Sequence, residues 1–434
     1  MRHCLALSTV ALVAILNASA APAADELLET LAQKGVITME EYEKLKAQRK
    51  TAPALNLDDG FRIASGDGSW TLQPGTLQQL DGASYSDDAT DLASGTEIRR
   101  SRLSVGGSFL KDWQYRVEYE FASGSAALTD AYVSYNAHKP LVVTVGQFKP
   151  PFGMEALSQD KSATFMERAL PFYLVSPLVV RAPGAQLATS WASGSLAGGL
   201  FGEPLGNAQA GDEGYGAAAR VTWAPYLQGT RLVHLGAAAQ WRVPTQDNST
   251  NASGPRFETV RFRAKPESNI LSQRFVDTGE IADVEDFSFA GIELAAGLDA
   301  LTLQAEYQQV GVARDNGAGD VDFSSGYVQI AYTLTGEVRP YRVDRGVFEG
   351  VKPARPFGTG GWGAFEVAAR YSEIDLTDGA IVGGRERNAT AALSWYLNPY
   401  LRISANYVKV LDVEGGAFDG EEPEIWQARV QLAI

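Results

Sequence analysis

What most restricts the fold of this chain is a two-residue rhythm of oily and wet side chains. The closing stretch IWQARVQLAI, Ile425 to Ile434, puts Trp426, Ala428, Val430, Leu432 and Ile434 on one face and Gln427, Arg429 and Gln431 on the other. Side chains alternate along a β-strand, so this is one strand with an apolar and a polar side. The pattern recurs along almost the whole sequence. A sheet built that way either packs its apolar face on a second sheet or closes into a barrel whose apolar face meets lipid.

The front of the chain selects lipid. Arg2, the apolar run Leu5 to Leu16 and the small residues Ala18-Ser19-Ala20 form a secretory leader, expected to span residues 1–20. Ala21-Pro22-Ala23 offers a second cut. The run is well short of the roughly 20 residues a helical anchor needs, and no later segment reaches that length. Cys4, the sole cysteine, lies in the leader, so neither a disulfide nor a cysteine metal site is expected, and no cofactor is called for. Subtracting Arg2 from the 37 basic residues leaves 36 against 52 acidic, a net charge of −16, which argues against general nucleic-acid binding. At 434 residues with 44 glycines and a mean hydropathy of −0.13, the chain is too polar for a helical membrane protein and too long for one sandwich.

Residues 21–57 read as a periplasmic head and linker. Two short helices are expected between Asp25 and Lys50, with Gly35 stopping the first; Thr38 and Glu41 form a capping box on the second, and Ile37 with Tyr42 a hydrophobic staple. So small an apolar stripe packs against copies of itself or against the barrel, or is a frayed linker. Residues 58–434 form the barrel. Outer-membrane barrels have short turns on the periplasmic side and long loops outside, so connection length gives each strand its direction. Short turns fall at Lys111-Asp112, Asn136 to Lys139, Ser193-Gly194, Pro225 to Gly229, Leu298 to Ala300 and Asn398-Pro399. Between them lie Ser86 to Thr96, Ala122 to Ala126, Lys149 to Pro183, Pro204 to Glu213, Val243 to Glu285, Gly311 to Gly319, Asp375 to Glu386 and Leu411 to Pro423. The count is an all-β, transmembrane antiparallel barrel of about sixteen strands. Thr335 to Gly361 fits badly and is either a long periplasmic connection or a concealed hairpin.

Alternation assigns a lipid face, including Leu103, Val105, Tyr119, Leu235, Tyr307, Ile330, Trp395 and Leu397. Trp113, Trp223, Tyr226, Trp395, Tyr396 and Tyr400 flank short turns as a periplasmic aromatic girdle. The opposite parity carries Arg100, Arg102, Arg116, Arg220, Arg242, Arg370, Arg402 and Arg429 with Glu118, Glu120, Glu293, Glu306 and Glu366. Arginine therefore exceeds carboxylate on the inner wall of an acidic chain. A surplus of fixed positive charge in a narrow, low-dielectric bore concentrates anions and repels cations. The alternative is that each arginine pairs with a wall glutamate across neighbouring strands; Arg100 and Arg102 resist it, having no acid beside them on their own strand. The connection 149–183 is too rich in Phe152, Met154, Leu157, Phe165, Met166 and Phe172 for a solvated loop and is expected to fold inward as a constriction. Val243 to Glu285, basic at Arg256, Arg261, Arg263 and Lys265, either draws anions to the mouth or is a solvated or lipopolysaccharide-contacting surface.

These stretches resemble the phosphate-selective porin O and P family of Gram-negative outer membranes: EIRRSRLSVGGSFLKDWQYRVEYEF, VGQFKPPFGMEALSQDKSATFMERALP, YTLTGEVRPY with GVFEGVKP, GAFEVAARYSEIDL, and LSWYLNPYLRISANYV. The resemblance spans most of Leu27 to Ile434. It implies a homotrimer of sixteen-stranded barrels in the outer membrane, a third loop folded into each channel, and arginines with a lysine at the constriction. By motif position Arg99 and Arg100 match the family's tandem arginines and Lys161 its lysine, although parity places Arg99 outward. Arg102, Arg116 and Arg220 join them as candidate anion-binding residues. Two departures stand out: the chain ends in isoleucine where such barrels usually end in phenylalanine, and its wall carries several glutamates.

The leading expectation is passive diffusion of small inorganic anions, phosphate and pyrophosphate among them. Its rival is a general or structural barrel with little anion specificity, in which the head tethers the membrane to the cell wall. An enzyme is not expected. Barrel hydrolases need a histidine beside a serine or aspartate, and beyond the leader only His138, in a turn, and His234, a packed lumen residue, remain.

Overall fold

Alternating residues give strands, and the strands find their neighbours in chain order. The computed structural model describes residues 29–51, 54–56, 61–86, 90–122, 124–203, 213–244, 247–251, 254–256, 259–315 and 317–434; the leader, its two cut sites and part of the linker lie outside them. The wall consists of β1 (Trp70–Tyr85), β2 (Gly95–Phe109), β3 (Trp113–Glu120), β4 (Ala127–Tyr135), β5 (Val142–Phe148), β6 (Ala182–Trp191), β7 (Gly194–Phe201), β8 (Tyr215–Gln228), β9 (Arg231–Val243), β10 (Val284–Leu298), β11 (Leu301–Arg314), β12 (Val321–Thr333), β13 (Ala364–Asp378), β14 (Ile381–Tyr396), β15 (Leu401–Glu414) and β16 (Glu424–Ala433). These 16 strands pair antiparallel with their neighbours, and β16 closes on β1 from Ile425↔Tyr85 to Ala433↔Leu77, so no edge is left open. Ahead of β1, Arg62–Ala64 pairs with its start and with Ala54–Asn56.

The exposure pattern is inside out. Trp426, Ile292 and Ile98 are 63%, 63% and 59% exposed, whereas Arg242 and Arg429 are each 1% exposed. Such an arrangement is stable only where the outer face meets hydrocarbon rather than water. Replacing mid-strand Ile292 by arginine is therefore expected to cost about 2–4 kcal/mol, measured as a lower denaturant midpoint in lipid bilayers, with pore currents unchanged.

Rings collect at the short-turn end. Trp70, Phe109, Trp113 and Tyr135 form a chain with centroids 5.5, 5.7 and 4.7 Å apart, and Trp395 stacks on Phe365 at 5.6 Å. Tyr396 does not join them. It is buried, and its hydroxyl bonds Glu366 at 2.9 Å on the inner side. Leu397 is also buried rather than lipid-facing, because β14 ends at Tyr396 and alternation stops with it. The connection expected at Asp375 to Glu386 is mostly strand: β13 and β14 run on to Asp378↔Ile381 and leave only a turn containing Gly379, whose φ is +55°. In the head, residues 29–33 are helical and a helix spans Met39–Thr51. Its capping box closes both ways: Thr38 N donates to Glu41 Oε2 at 2.8 Å, and Glu41 N to Thr38 Oγ1 at 3.1 Å.

Three segments enter the bore. The third loop, between β5 and β6, carries short helices at Met154–Leu157 and Pro171–Val179 and a turn at Asp160–Ser162. Its Phe152, Leu170 and Leu174 pack with Val260 and Phe262 from the loop between β9 and β10 against Phe289, Val310, Phe323 and Ile374 of the wall. From the opposite side comes the connection between β12 and β13, the segment that fitted badly in the strand count. It is a long periplasmic connection that also holds a small hairpin, Tyr341–Arg342 against Val347–Phe348, outside the wall sheet. This apolar packing covers part of the inner face of β9–β13.

Candidate functional site

Arg99 and Arg100 both point inward. Gln79 pairs with Arg100 but the next wall residue, Leu80, pairs with Ile98, so Arg99 is the extra residue of a β-bulge. A bulge turns two successive side chains to one face. Arg99, assigned outward by parity, instead grips Glu167 of the third loop through Nε at 2.8 Å and Nη2 at 2.9 Å. Arg100 Nη1 donates to Gln79 Oε1 at 2.7 Å and its Nη2 lies 3.3 Å from Asp160; its buried Nε has no partner.

Asp160 answers the question of what stands near Arg100 and Arg102. It bonds Arg102 at 2.5 Å and Arg168 at 3.0 Å as well, while Arg102 reaches Glu120 at 2.8 Å. Burial works to raise the Asp160 pKa, but Arg100, Arg168 and Arg102 overcome it and hold the group well below the usual carboxylate range. Glu167 is likewise raised by burial and pulled down further by Arg99 and Arg429. Arg429 also chelates Asp81 at 2.7 and 2.6 Å. Asp160 and Glu167 are thus each shared by two or more guanidinium groups. Lys149, just past β5, is pushed down by burial and by Arg168, and donates to the Ala156 carbonyl at 2.6 Å.

Backbone contacts hold the loop in place. Gln431 donates to the Lys161 carbonyl at 3.1 Å, Arg402 to that of Ala163 at 2.6 Å, Arg429 to that of Met166, and Arg339 of the periplasmic connection to that of Ser162 at 2.9 Å. The Lys161 side chain is exposed next to buried Asp160, so the short helical turn presents opposite charges in different directions. Arg116 is the more open wall cation, 38% exposed, bonded to Glu118 at 2.5 Å and 3.7 Å from Asp130. Arg220 lies apart from the cluster. It is buried, chelates Glu293 at 2.7 and 2.6 Å and donates to the carbonyls of Arg345 and Gly346. His234 packs beside it, 2.6 Å from the Tyr341 hydroxyl.

The structure therefore gathers Arg99, Arg100, Arg102 and Lys161 at the third loop, puts Arg116 next to them through Glu118, and uses Arg220 to grip a hairpin. Asp160, Glu167, Arg168 and Arg339 were missed by the sequence reading because their partners lie far along the chain. One signal was present: two adjacent arginines on a lipid-facing strand cannot alternate without sending one into hydrocarbon, which calls for a bulge.

Comparison with known proteins accords with this architecture. Residues 76–434 match the sequence profile of the phosphate-selective porin O and P family. The chain is 33% identical over 333 residues to an uncharacterized protein of Caulobacter vibrioides, covering 75% of this chain and 64% of that one. It is 26% identical over 377 residues to porin O of Pseudomonas aeruginosa, covering 81% and 85%. Among solved structures, an anion-selective porin from Comamonas acidovorans superposes with a TM-score of 0.53 at 15% identity, covering 84% of this chain and all of that one. OmpT of Vibrio cholerae gives 0.55 at 11% identity, covering 84% and 98%. Family and fold indicate a channel rather than an enzyme. With a closed wall, an inverted surface and an in-folded third loop, this chain is a β-barrel of the bacterial outer membrane and belongs to the phosphate-selective porin O and P family.

Proposed function

We propose that the protein conducts small inorganic anions, phosphate and pyrophosphate among them, by passive diffusion past the third loop. The observation that carries this is the bulge, which sets Arg99 and Arg100 side by side in the bore while the nearby carboxylates are shared among several guanidinium groups. Counting Asp81, Glu118, Glu120 and Asp130 with them, seven guanidinium groups and Lys161 meet six carboxylates, which leaves net positive charge at a narrow, low-dielectric point, where it attracts anions most strongly. Guanidinium also suits oxyanions because its planar fork donates two hydrogen bonds. Arg99, Arg100, Arg102, Lys161 and Arg116 are the anion-facing set, and Arg220 supports it from behind. The fold likeness to the anion-selective porin of Comamonas acidovorans is in keeping with this reading.

A leader spanning residues 1–20, a periplasmic head at 21–57 and assembly as a homotrimer, the form in which one Vibrio OmpT structure is described, complete the proposal. Lipopolysaccharide contact is assigned to the basic loop between β9 and β10, where the Arg261 side chain stays 37% exposed. A general porin with little specificity is the other reading, and wall glutamates such as Glu118 and Glu120 favour it.

Planar-bilayer recordings in a potassium chloride gradient distinguish them. The proposed channel gives a reversal potential of anionic sign and a chloride current blocked by phosphate at sub-millimolar concentration. An anionic reversal potential without block reduces the proposal to a general anion porin, and cation preference overturns it.

A further inference from the structure

The connection between β12 and β13 has a second foot, outside the wall. Its Arg339 donates to the Ser162 carbonyl of the third loop at 2.9 Å, but its final stretch, ARPFGTGGWG at 354–363, turns over the periplasmic rim instead. Phe357 N donates to the Leu397 carbonyl at 2.7 Å, and the Phe357 ring meets Trp395 edge-on at 5.5 Å. Trp395 is the register partner of Phe365 and stacks on it. Two positions further along the same face, Leu393 and Val367 are exposed, whereas Ser394 and Glu366 between them are buried on the inner side. The ring cluster therefore stands on the outer, lipid-facing side of the barrel.

Trp362 completes it. Its carbonyl accepts from Trp395 Nε1 at 2.6 Å and its ring lies 6.1 Å from that of Phe357, yet it is 74% exposed, more than any other large apolar residue described. Glycine on either side fixes the position. A Cβ on Gly361 would lie 2.1 Å from the Arg355 carbonyl oxygen, and one on Gly363, whose φ is +77°, would lie 2.2 Å from that of Tyr396, so the loop is pressed onto the end of β14. Between Glu349 and Glu366 the chain carries Lys352 and Arg355, both exposed, and no acid. An indole held outward at a barrel rim, continuous with the aromatic girdle and flanked by cations, matches the headgroup layer: its ring meets the upper acyl chains, and the cations meet lipid phosphates.

We propose that Phe357, Trp362 and Arg355 form a lipid-docking surface that seats the periplasmic connection in the phospholipid headgroups of the inner leaflet. The connection is then pinned at both ends, to the third loop inside the bore by Arg339 and to the membrane outside it by Trp362. This goes beyond conduction and holds whichever ion passes.

The test places one fluorophore at the site: Trp362→Cys in a Cys4→Ser background, labelled with an environment-sensitive dye, in the full-length porin reconstituted into phosphatidylcholine–phosphatidylglycerol vesicles. A nitroxide on the lipid headgroup is expected to quench the label at least about threefold more strongly than one deep in the acyl chain, as residence at the interface requires. Iodide present on both sides of the membrane is expected to quench it weakly. Strong iodide quenching without a lipid effect puts the position in periplasmic water and overturns the proposal. Stronger quenching from the acyl chain overturns the headgroup depth, and protection from all three quenchers points to a protein occupant, a second copy or a periplasmic partner, and overturns the lipid. A second variant needs no label. Trp362→Ser leaves Phe357 on Trp395, and the Phe357 amide is expected to exchange its hydrogen about threefold faster than wild type in the same vesicles. Unchanged exchange, with heat-modifiable gel migration like that of wild type, shows that lipid does not hold the connection and overturns the pinning.

Discussion

Arg100→Glu is expected to lower the anion-to-cation permeability ratio roughly tenfold or more, and to bring the channel to cation preference at low salt. The change replaces a cation by an anion at the bulge, next to Asp160 at 3.3 Å, so two charges are exchanged where the bore is narrowed by the third loop. Arg100→Gln removes only one, and its expected effect is about threefold. The control is Arg231→Glu. Arg231 is 59% exposed and paired with Asp299 at a periplasmic turn, where water and salt screen it, so a change of less than about twofold is expected. Reversal potentials in a tenfold chloride gradient read all three. Equal effects at positions 100 and 231 would mean that permeating ions do not sense the bulge.

Alternation made the wall legible, because a barrel in lipid must repeat the same two-sided strand many times. The inward parity of Arg100, Arg102, Arg220, Arg370, Arg402 and Arg429 was readable for the same reason. What parity cannot express is an inserted residue. The bulge at Arg99 shifts the rhythm by one, and only the cost of an arginine in hydrocarbon announces it, about 2–4 kcal/mol at mid-membrane. Beyond strand ends the rule has no content, which is why Tyr396 and Leu397 turned inward against it. Asp378-Gly379 was a hairpin signal inside a stretch read as loop. The periplasmic connection stayed ambiguous because its position depends on contacts across the barrel, Arg339 with Glu366 and Arg220 with the hairpin carbonyls. Likewise, inward-facing Phe289, Val310 and Phe323 look misplaced in a polar lumen until the two in-folded loops cover them. Local pattern gave the tube, and tertiary partners decide which part of it stays open.

The third loop's attachment depends on charge, which leads to the second large effect. Glu167→Gln leaves Arg99 without the carboxylate that grips it and takes one of two from Arg429, which is 1% exposed. Breaking a buried ion pair from one side costs about 3–5 kcal/mol, because the remaining charge keeps its desolvation penalty. The variant is expected to unfold at a lower denaturant midpoint, to show unsteady multi-level currents as the loop lifts, and to be more anion-selective than wild type while docked. Folding lowers the pKa of Glu167 and of Asp160, so their contribution is complete above the ordinary carboxylate range and is lost only as pH falls through the lowered values. Wild-type selectivity and current noise should accordingly stay constant from pH 7 down to about pH 4, where free carboxylates begin to protonate, and the loop should loosen only in stronger acid. If unsteady currents set in near pH 5, the two carboxylates are not held by their arginines as the distances indicate. Steady currents and an unchanged midpoint in Glu167→Gln would instead show that the backbone contacts of Gln431, Arg402 and Arg339 suffice to hold the loop.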